Sequence, residues 1–338
     1  MKITDLTNKR VIISRTDSIG DVLLTLPICA WIKCNYPTAT ILFLGKGYTK
    51  SVVECYDLVD EFIDWKEHEN QPKVEQTEGF RSFDADAIIH VFPNREIASL
   101  ARKVRIPIRV GTSHRSYHLL TCTHRVNFTR KRSDLHESQL NHELLRPFGL
   151  TQLPSLEEIT SATRHFHPPT EALPHFVEKA LQKEGKCIVL HPKSQGSARE
   201  WPMEKYAELA KELIDKDYTV FFTGTEGEGE LFRDQLPTHD KIIDTSGKLT
   251  LNQLIRFISK VDALLACSTG PLHIAGYTGI HAIGLFVPVR PIHPGRWKAL
   301  GPKVSILVSV ADESKTAKNK DYNYIADISV DEVLELLG

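Results

Sequence analysis

Ser268-Thr269-Gly270-Pro271-Leu272-His273-Ile274-Ala275 follows the apolar, strand-like run Val261-Asp262-Ala263-Leu264-Leu265-Ala266-Cys267 and leads into a helix-like segment. A junction of this kind exposes unpaired backbone N–H groups and the positive end of a helix dipole, where a phosphate can sit. Gly270 lets the backbone come close to an anion, and Pro271 suits an early helical position because its missing N–H is an orphan there anyway. Ser268 or Thr269 can cap the helix with a hydroxyl or turn that hydroxyl to a ligand. The same pattern also serves plain architecture, so its meaning depends on the chemistry elsewhere in the chain.

Other polar groups fall where predicted strands end. After Arg10-Val11-Ile12-Ile13-Ser14 comes Arg15-Thr16-Asp17-Ser18-Ile19-Gly20-Asp21. A carboxylate at Asp21, at a helix start, is held ionised by the dipole and nearby amides, which suits a proton acceptor and equally suits a cap. Asp17 is a weaker candidate for the same role, and Gly20 permits close approach of a substrate. The loop from His191 to Pro202 carries Lys193 and Arg199; a guanidinium can neutralise a diphosphate with bidentate geometry. Trp201-Pro202 is expected to close this loop onto the core. Thr223-Gly224-Thr225-Glu226-Gly227-Glu228 offers carboxylates to sugar hydroxyls, or to solvent. His293, Arg296 and Trp297 stand after the last core strand.

The elements that must position these groups read as alternating strands and helices, the pattern of α/β architecture. Strands are expected at 10–14, 39–44, 85–91, 108–110, 187–191, 219–223, 261–267 and 281–286. Helices are expected at 21–35, 94–103, 173–184, 203–215, 251–258 and 330–337. The Pro-bearing stretch 163–170 reads as a linker. It divides 338 residues, too many for one ordinary core, into domains at 1–165 and 172–338. The polar stretch Asp312 to Asp321 reads as a loop.

Composition narrows the function classes. A hydrophobic content of 41% and a charged content of 25% are those of a globular protein. A net charge of −1 argues against a dedicated nucleic-acid binder. Six scattered cysteines without a C-x-x-C pair read as reduced thiols, neither a disulfide frame nor a zinc site. With no long apolar run and no apolar leader, a cytoplasmic location is expected. Charge is nonetheless segregated: 54–86 holds eleven acids against three bases, whereas 95–134 holds ten Lys/Arg against two acids. The second stretch reads as a solvated surface or as a basic wall for an anionic acceptor or membrane surface.

Taken together, Ser18-Ile19-Gly20-Asp21-Val22-Leu23, Arg199-Glu200-Trp201-Pro202 and Ser268 to Ala275 resemble the family 9 glycosyltransferases, the ADP-heptose:lipopolysaccharide heptosyltransferases and their relatives. So do His142-Glu143-Leu144-Leu145-Arg146-Pro147-Phe148-Gly149, Gly284 to Pro288, Arg296-Trp297 and Leu300-Gly301-Pro302. The resemblance runs along roughly the whole chain, in order.

It implies a GT-B fold, with two Rossmann-like domains whose parallel sheets face across a cleft. The acceptor would be held mainly by the first domain and the nucleotide sugar by the second. It also implies inverting, metal-independent transfer of a sugar, heptose from an ADP-linked donor, onto a lipopolysaccharide-core or other anionic glycan acceptor. No cofactor is implied beyond the nucleotide sugar as co-substrate, and peripheral contact with the cytoplasmic face of the inner membrane is. By this resemblance Asp21 is the catalytic base with Arg15 beside it, and Gly20 and Arg115 meet the acceptor. Lys193, Arg199, Glu228, Ser268, Thr269, Gly270, Leu272 and His273 hold the donor. Ser268 replaces an Asp common in the family, which leaves the transferred sugar open. The one D-x-D, Asp84-Ala85-Asp86, opens a strand and so falls on the wrong edge of the sheet to hold a metal ion at the site. Two alternatives share the fold: a nucleotide-sugar epimerase and a non-catalytic nucleotide-sugar-binding protein. An oxidoreductase is disfavoured because G-x-G-x-x-G is absent after the first strand.

Overall fold

A computed structural model describes residues 3–130, 133–310 and 323–338; the loop expected at Asp312–Asp321 lies outside the described residues. The chain forms two compact units, Met1–His167 and Pro168–Gly338.

The first unit carries six strands: β1 (Arg10–Ser14), β2 (Thr40–Gly45), β3 (Glu61–Asp64), β4 (Ala87–His90), β5 (Ile108–Thr112) and β6 (His124–Val126). They pair in parallel in the order β3-β2-β1-β4-β5-β6. The second unit repeats this with β7 (Lys186–His191), β8 (Tyr218–Phe222), β9 (Ile242–Asp244), β10 (Ala263–Cys267), β11 (His281–Phe286) and β12 (Val304–Val308). Its order is β12-β11-β10-β7-β8-β9, also parallel throughout. Read from each unit's first strand, both sheets have the Rossmann order, and chain direction across the sheet reverses between β1 and β4 and between β7 and β10. Ligands of such sheets sit beyond the carboxyl ends of the strands at that reversal.

Central strands of a parallel sheet are covered on both faces and therefore apolar throughout. Val11, Ile12 and Ile13 of β1 and Leu264, Leu265 and Ala266 of β10 are fully buried. One core joins Ile12, Leu42, Ile88, Ile97 and Leu100, and another joins Ile188, Leu209, Val220, Leu265 and Ile283.

Several boundaries differ from the sequence reading. The expected helix 21–35 is two helices, Ile19–Leu23 and Pro27–Asn35, because Pro27 has no N–H to continue the first and instead opens the second. The expected linker begins too early: Phe166 bridges to Tyr56, and the His167 N–H donates to the Cys55 carbonyl at 2.7 Å. These contacts keep 163–167 in the first unit. β3, β6, β9 and β12 escaped the sequence reading. Three of them are three- or four-residue strands, and β3, β6, β9 and β12 are the sheet edges, where alternation is too short to register.

Candidate active site

The carboxyl end of β1 delivers Arg15 into a cluster of acids. Its guanidinium donates to Asp17 Oδ1 at 2.7 Å through Nε, to Glu137 Oε1 at 3.3 Å through Nη1, and to Asp21 Oδ1 through Nη2. Glu137, only 1% exposed, also accepts from Arg130 Nε at 2.8 Å. A buried carboxylate of this kind is tolerable only when paired. Ser18 Oγ donates to Asp21 Oδ2 at 2.5 Å, and Thr25 Oγ1 donates to the Asp21 carbonyl at 2.8 Å. Both carboxylate oxygens of Asp21 are therefore oriented, and the helix Ile19–Leu23 places it in its first turn. Gly20 precedes it in the same turn and is buried.

Electrostatics separate the members of the cluster. Burial alone would favour neutral Arg15, but Asp17, Asp21 and Glu137 outweigh it and raise its pKa above the ordinary arginine value. Burial pushes the Asp17 carboxyl up to about 6; the negative charges of Asp21 and Glu137 add to the rise against the pull of Arg15. Asp17, the weaker candidate base of the sequence reading, thus titrates well above the ordinary aspartate value beside Asp21. Glu137 and Arg130 were missed. The one available signal was His136-Glu137-Ser138-Gln139, which forms a capping box and so fixes Glu137 at a helix start.

In the second unit two loops meet. After β7, Lys193 Nζ pairs with Glu200 Oε2 at 3.1 Å, while Glu200 Oε1 accepts from Ser194 N–H and Oγ at 2.9 and 3.0 Å. Burial works to raise the Glu200 carboxyl, but these donors prevail and hold it below the usual carboxylate range. Glu200 so folds 193–200 into a closed loop, and Arg199 is left exposed on it without an ion pair among the described residues. Trp201 is buried, with Nε1 donating to the Ile328 carbonyl at 3.0 Å, as the expected closure of the loop requires.

After β10, Thr269 is the N-cap of the helix Gly270–Thr278, and Pro271 stands in its first turn. Thr269 does not cap with its side chain. Its Oγ1 is buried with no hydrogen-bond partner among the described residues, although the residue is only 7% exposed. A buried hydroxyl without a partner is costly unless a ligand completes it. Leu272 and His273 of the same helix are buried. Arg199 and Ser268 border one small pocket whose other walls include Phe286, Val287 and Ile292. β7 and β10 are paired with His191 opposite Ala266, so both loops leave the sheet at its reversal point.

Glu228 occupies a different setting from the open turn expected. Glu226–Glu230 is helical, and Glu228 Oε2 accepts from Thr225 N–H at 2.7 Å and Thr225 Oγ1 at 3.0 Å in a capping box. Trp297 Nε1 donates to the Pro291 carbonyl at 2.8 Å, and the Arg296 guanidinium lies over its ring at 4.6 Å. Arg115 is exposed in the turn after β5. Asp86 accepts from the Arg10 N–H that begins β1, at 2.9 Å, and from Lys9 Nζ. It lies at the amino edge of the sheet, opposite the end that carries Asp21.

Two parallel sheets of Rossmann order, each with polar loops gathered at its reversal point, define a doubly wound α/β protein whose candidate site lies beyond the carboxyl ends of its strands. The family model for glycosyltransferase family 9 (heptosyltransferase) matches residues 75–325, and the chain belongs to that family. A Haemophilus influenzae protein provisionally assigned as a glycosyltransferase is 26% identical over 299 residues, 86% of each chain. The fold is shared with a family 9 glycosyl transferase of Veillonella parvula, with a TM-score of 0.80 at 22% identity over 99% of this chain and 98% of that one. It is shared too with the ADP-heptose lipopolysaccharide heptosyltransferase II of Escherichia coli, with a TM-score of 0.72 at 19% identity over 97% of each. The protein is accordingly a glycosyltransferase of GT-B type. No helix among the described residues is long and apolar enough to cross a membrane.

Proposed function

We propose that the protein transfers heptose from ADP-heptose to an anionic glycan acceptor of the lipopolysaccharide-core type, with inversion and without a metal ion. The observation that carries this reading is the double orientation of the Asp21 carboxylate by Arg15 and Ser18 at the carboxyl end of β1. An acceptor hydroxyl is a poor nucleophile until a positioned base takes its proton during attack. Asp21 is that base, and Arg15 and Ser18 keep it aimed. Gly20 leaves room for the acceptor, and Arg115 with the basic 95–134 stretch meets its phosphates.

The leaving nucleoside diphosphate gains charge as the glycosidic bond breaks. Arg199, Lys193 and the backbone amides at Thr269, Gly270 and Leu272 oppose that charge with preorganised donors, and the Thr269 hydroxyl supplies one more. Ser268 and His273 flank the diphosphate, and Glu228 is directed to the donor ribose, which it reaches by giving up its Thr225 partners. The family's heptosyltransferase description and the ADP-heptose enzyme of the same fold support the choice of donor.

The test is product analysis by mass spectrometry with ADP-heptose alone, then with a heptose-deficient lipopolysaccharide core. Transfer only in the presence of acceptor is the expected result. A donor converted with no acceptor present would make the protein an epimerase, and ADP binding without turnover would make it a binding module.

A further inference from the structure

The helix that carries Asp21, Ile19–Leu23, has five residues, and Pro27 opens a new helix just beyond it. So short a helix cannot hold a side chain in place by its own hydrogen bonds. The support comes from the helix Glu137–His142, which a capping box between His136 and Gln139 fixes at its start. Glu137 and Asn141, one turn apart on the same face, are 1% and 0% exposed. Asn141 Nδ2 donates to the Leu24 carbonyl at 3.1 Å and to Thr25 Oγ1 at 3.3 Å. Thr25 Oγ1 passes the bond on to the Asp21 carbonyl. Asn141 Oδ1 accepts from Arg130 Nη2 at 3.0 Å, and Arg130 Nε joins Arg15 Nη1 on Glu137 Oε1. Arg15 Nη2 then returns to the Asp21 carboxylate. A closed circuit therefore runs from Asp21 through Arg15, Glu137, Arg130, Asn141 and Thr25 back to Asp21. One arm grips the carboxylate and the other grips the main chain.

We propose that Glu137, Asn141 and Thr25 are positioning residues, which hold the Asp21 carboxylate in the orientation that takes the acceptor proton and act only through it. Arg15, Thr25, Glu137 and Asn141 are all buried, so water has little access to replace a broken link. A buried ionic network is a poor source of net stability; fixed geometry is what this one supplies. Glu137 is itself too enclosed, between two guanidiniums, to meet an acceptor hydroxyl. The inference rests on Asp21 being the base.

The test is transfer kinetics, ADP affinity and melting temperature for Thr25→Val, Asn141→Leu and Glu137→Gln. Each is made in wild type and in Asp21→Asn, whose residual turnover is read under single-turnover conditions. In wild type each substitution should lower kcat about 10–100-fold, the cost of a misplaced catalytic group. ADP affinity should not change, because the proposed donor loops belong to the second unit. In Asp21→Asn the same substitutions should lower turnover no further, since they act through the group already removed. Should Glu137→Gln fail to fold, Thr25→Val, equal in size without the hydroxyl, carries the test. Unchanged kcat in Thr25→Val and Asn141→Leu overturns the proposal and leaves Asp21 as the base. An equal further loss in the Asp21→Asn background overturns it too, because a general structural role would act there as well. Near-normal turnover in Asp21→Asn, or a wild type inert towards donor and acceptor, overturns the underlying reading and this inference with it.

Discussion

Arg15 binds Asp17 and Asp21 with two arms of one guanidinium, through Nε at 2.7 Å to Asp17 and through Nη2 to Asp21. The two carboxylates thus share a cation without sharing a role. Asp17 is raised by burial to about 6, whereas Asp21 also holds the Ser18 hydroxyl.

If Asp21 takes the acceptor proton, Asp21→Asn keeps the fold, with its carbonyl oxygen accepting from Arg15 and its amide donating to Ser18 Oγ, but removes the base. Turnover should fall about 10²–10⁴-fold with ADP affinity unchanged. Steady-state kinetics paired with calorimetry reads both, and near-normal turnover would remove Asp21 from the chemistry.

Asp17 sets the sign of one pH dependence. Its folded pKa of about 6 lies above the ordinary 3.8, so between those values the native state binds more protons than the unfolded one. Stability from this group is present at low pH and is lost as pH rises from about 4 to 6. Asp17→Asn should therefore gain melting temperature over wild type across that window and hold the gain above it. A constant difference at every pH would contradict the burial argument.

The histidines act oppositely. His90 is pushed down to about 3 by burial, with His118 and Arg109 adding to it, and its two ring nitrogens have no partner among the described residues. Its ring stacks on His118, whose pKa burial also lowers, with centroids 5.6 Å apart. The unfolded state takes protons below its ordinary 6.5 that the native state refuses, so stability is lost as pH falls from about 6.5 toward 3. His90→Phe fills the same space without that liability. Thermal melts should show it less acid-sensitive than wild type, with little cost at pH 8.

Arg199→Ala should weaken ADP binding about 10–100-fold, the scale of a lost charge-assisted pair. Thr269→Val is sharper. Removing an unpartnered buried hydroxyl should leave or raise stability in the free protein, yet lower ADP affinity about tenfold if that hydroxyl meets a phosphate. Titration calorimetry decides, and unchanged affinity in both variants would move the diphosphate elsewhere.

The central strands were legible because their residues are apolar without interruption: Val11 to Ile13, Ile188 to Leu190 and Leu264 to Ala266 are buried as the pattern demands. Asp21, Arg199 and Thr269 were singled out because each follows a strand end in a polar turn, and the structure does place each beyond the carboxyl end of its expected strand. What stayed hidden depends on partners far away in sequence. Glu137 reads as one more helical acid until folding brings Arg15, 122 positions earlier, against it. Asp17 reads only as the weaker of two candidate bases, because the burial that changes its proton affinity is set by the fold. Glu228 read as an open carboxylate because T-x-x-E capping and ligand binding use the same atoms, and only geometry shows the Thr225 contacts already made.

The stretch after residue 322 works on the Arg199 loop from a distance. Trp201 Nε1 and Lys205 Nζ both donate to the Ile328 carbonyl, and Asn323 Nδ2 donates to the Glu200 carbonyl at 2.9 Å. The far end of the second unit is thereby a latch on its Arg199 loop. Trimming from Asn323 onward would remove these bonds and slacken the Arg199 loop, so tags are better placed elsewhere.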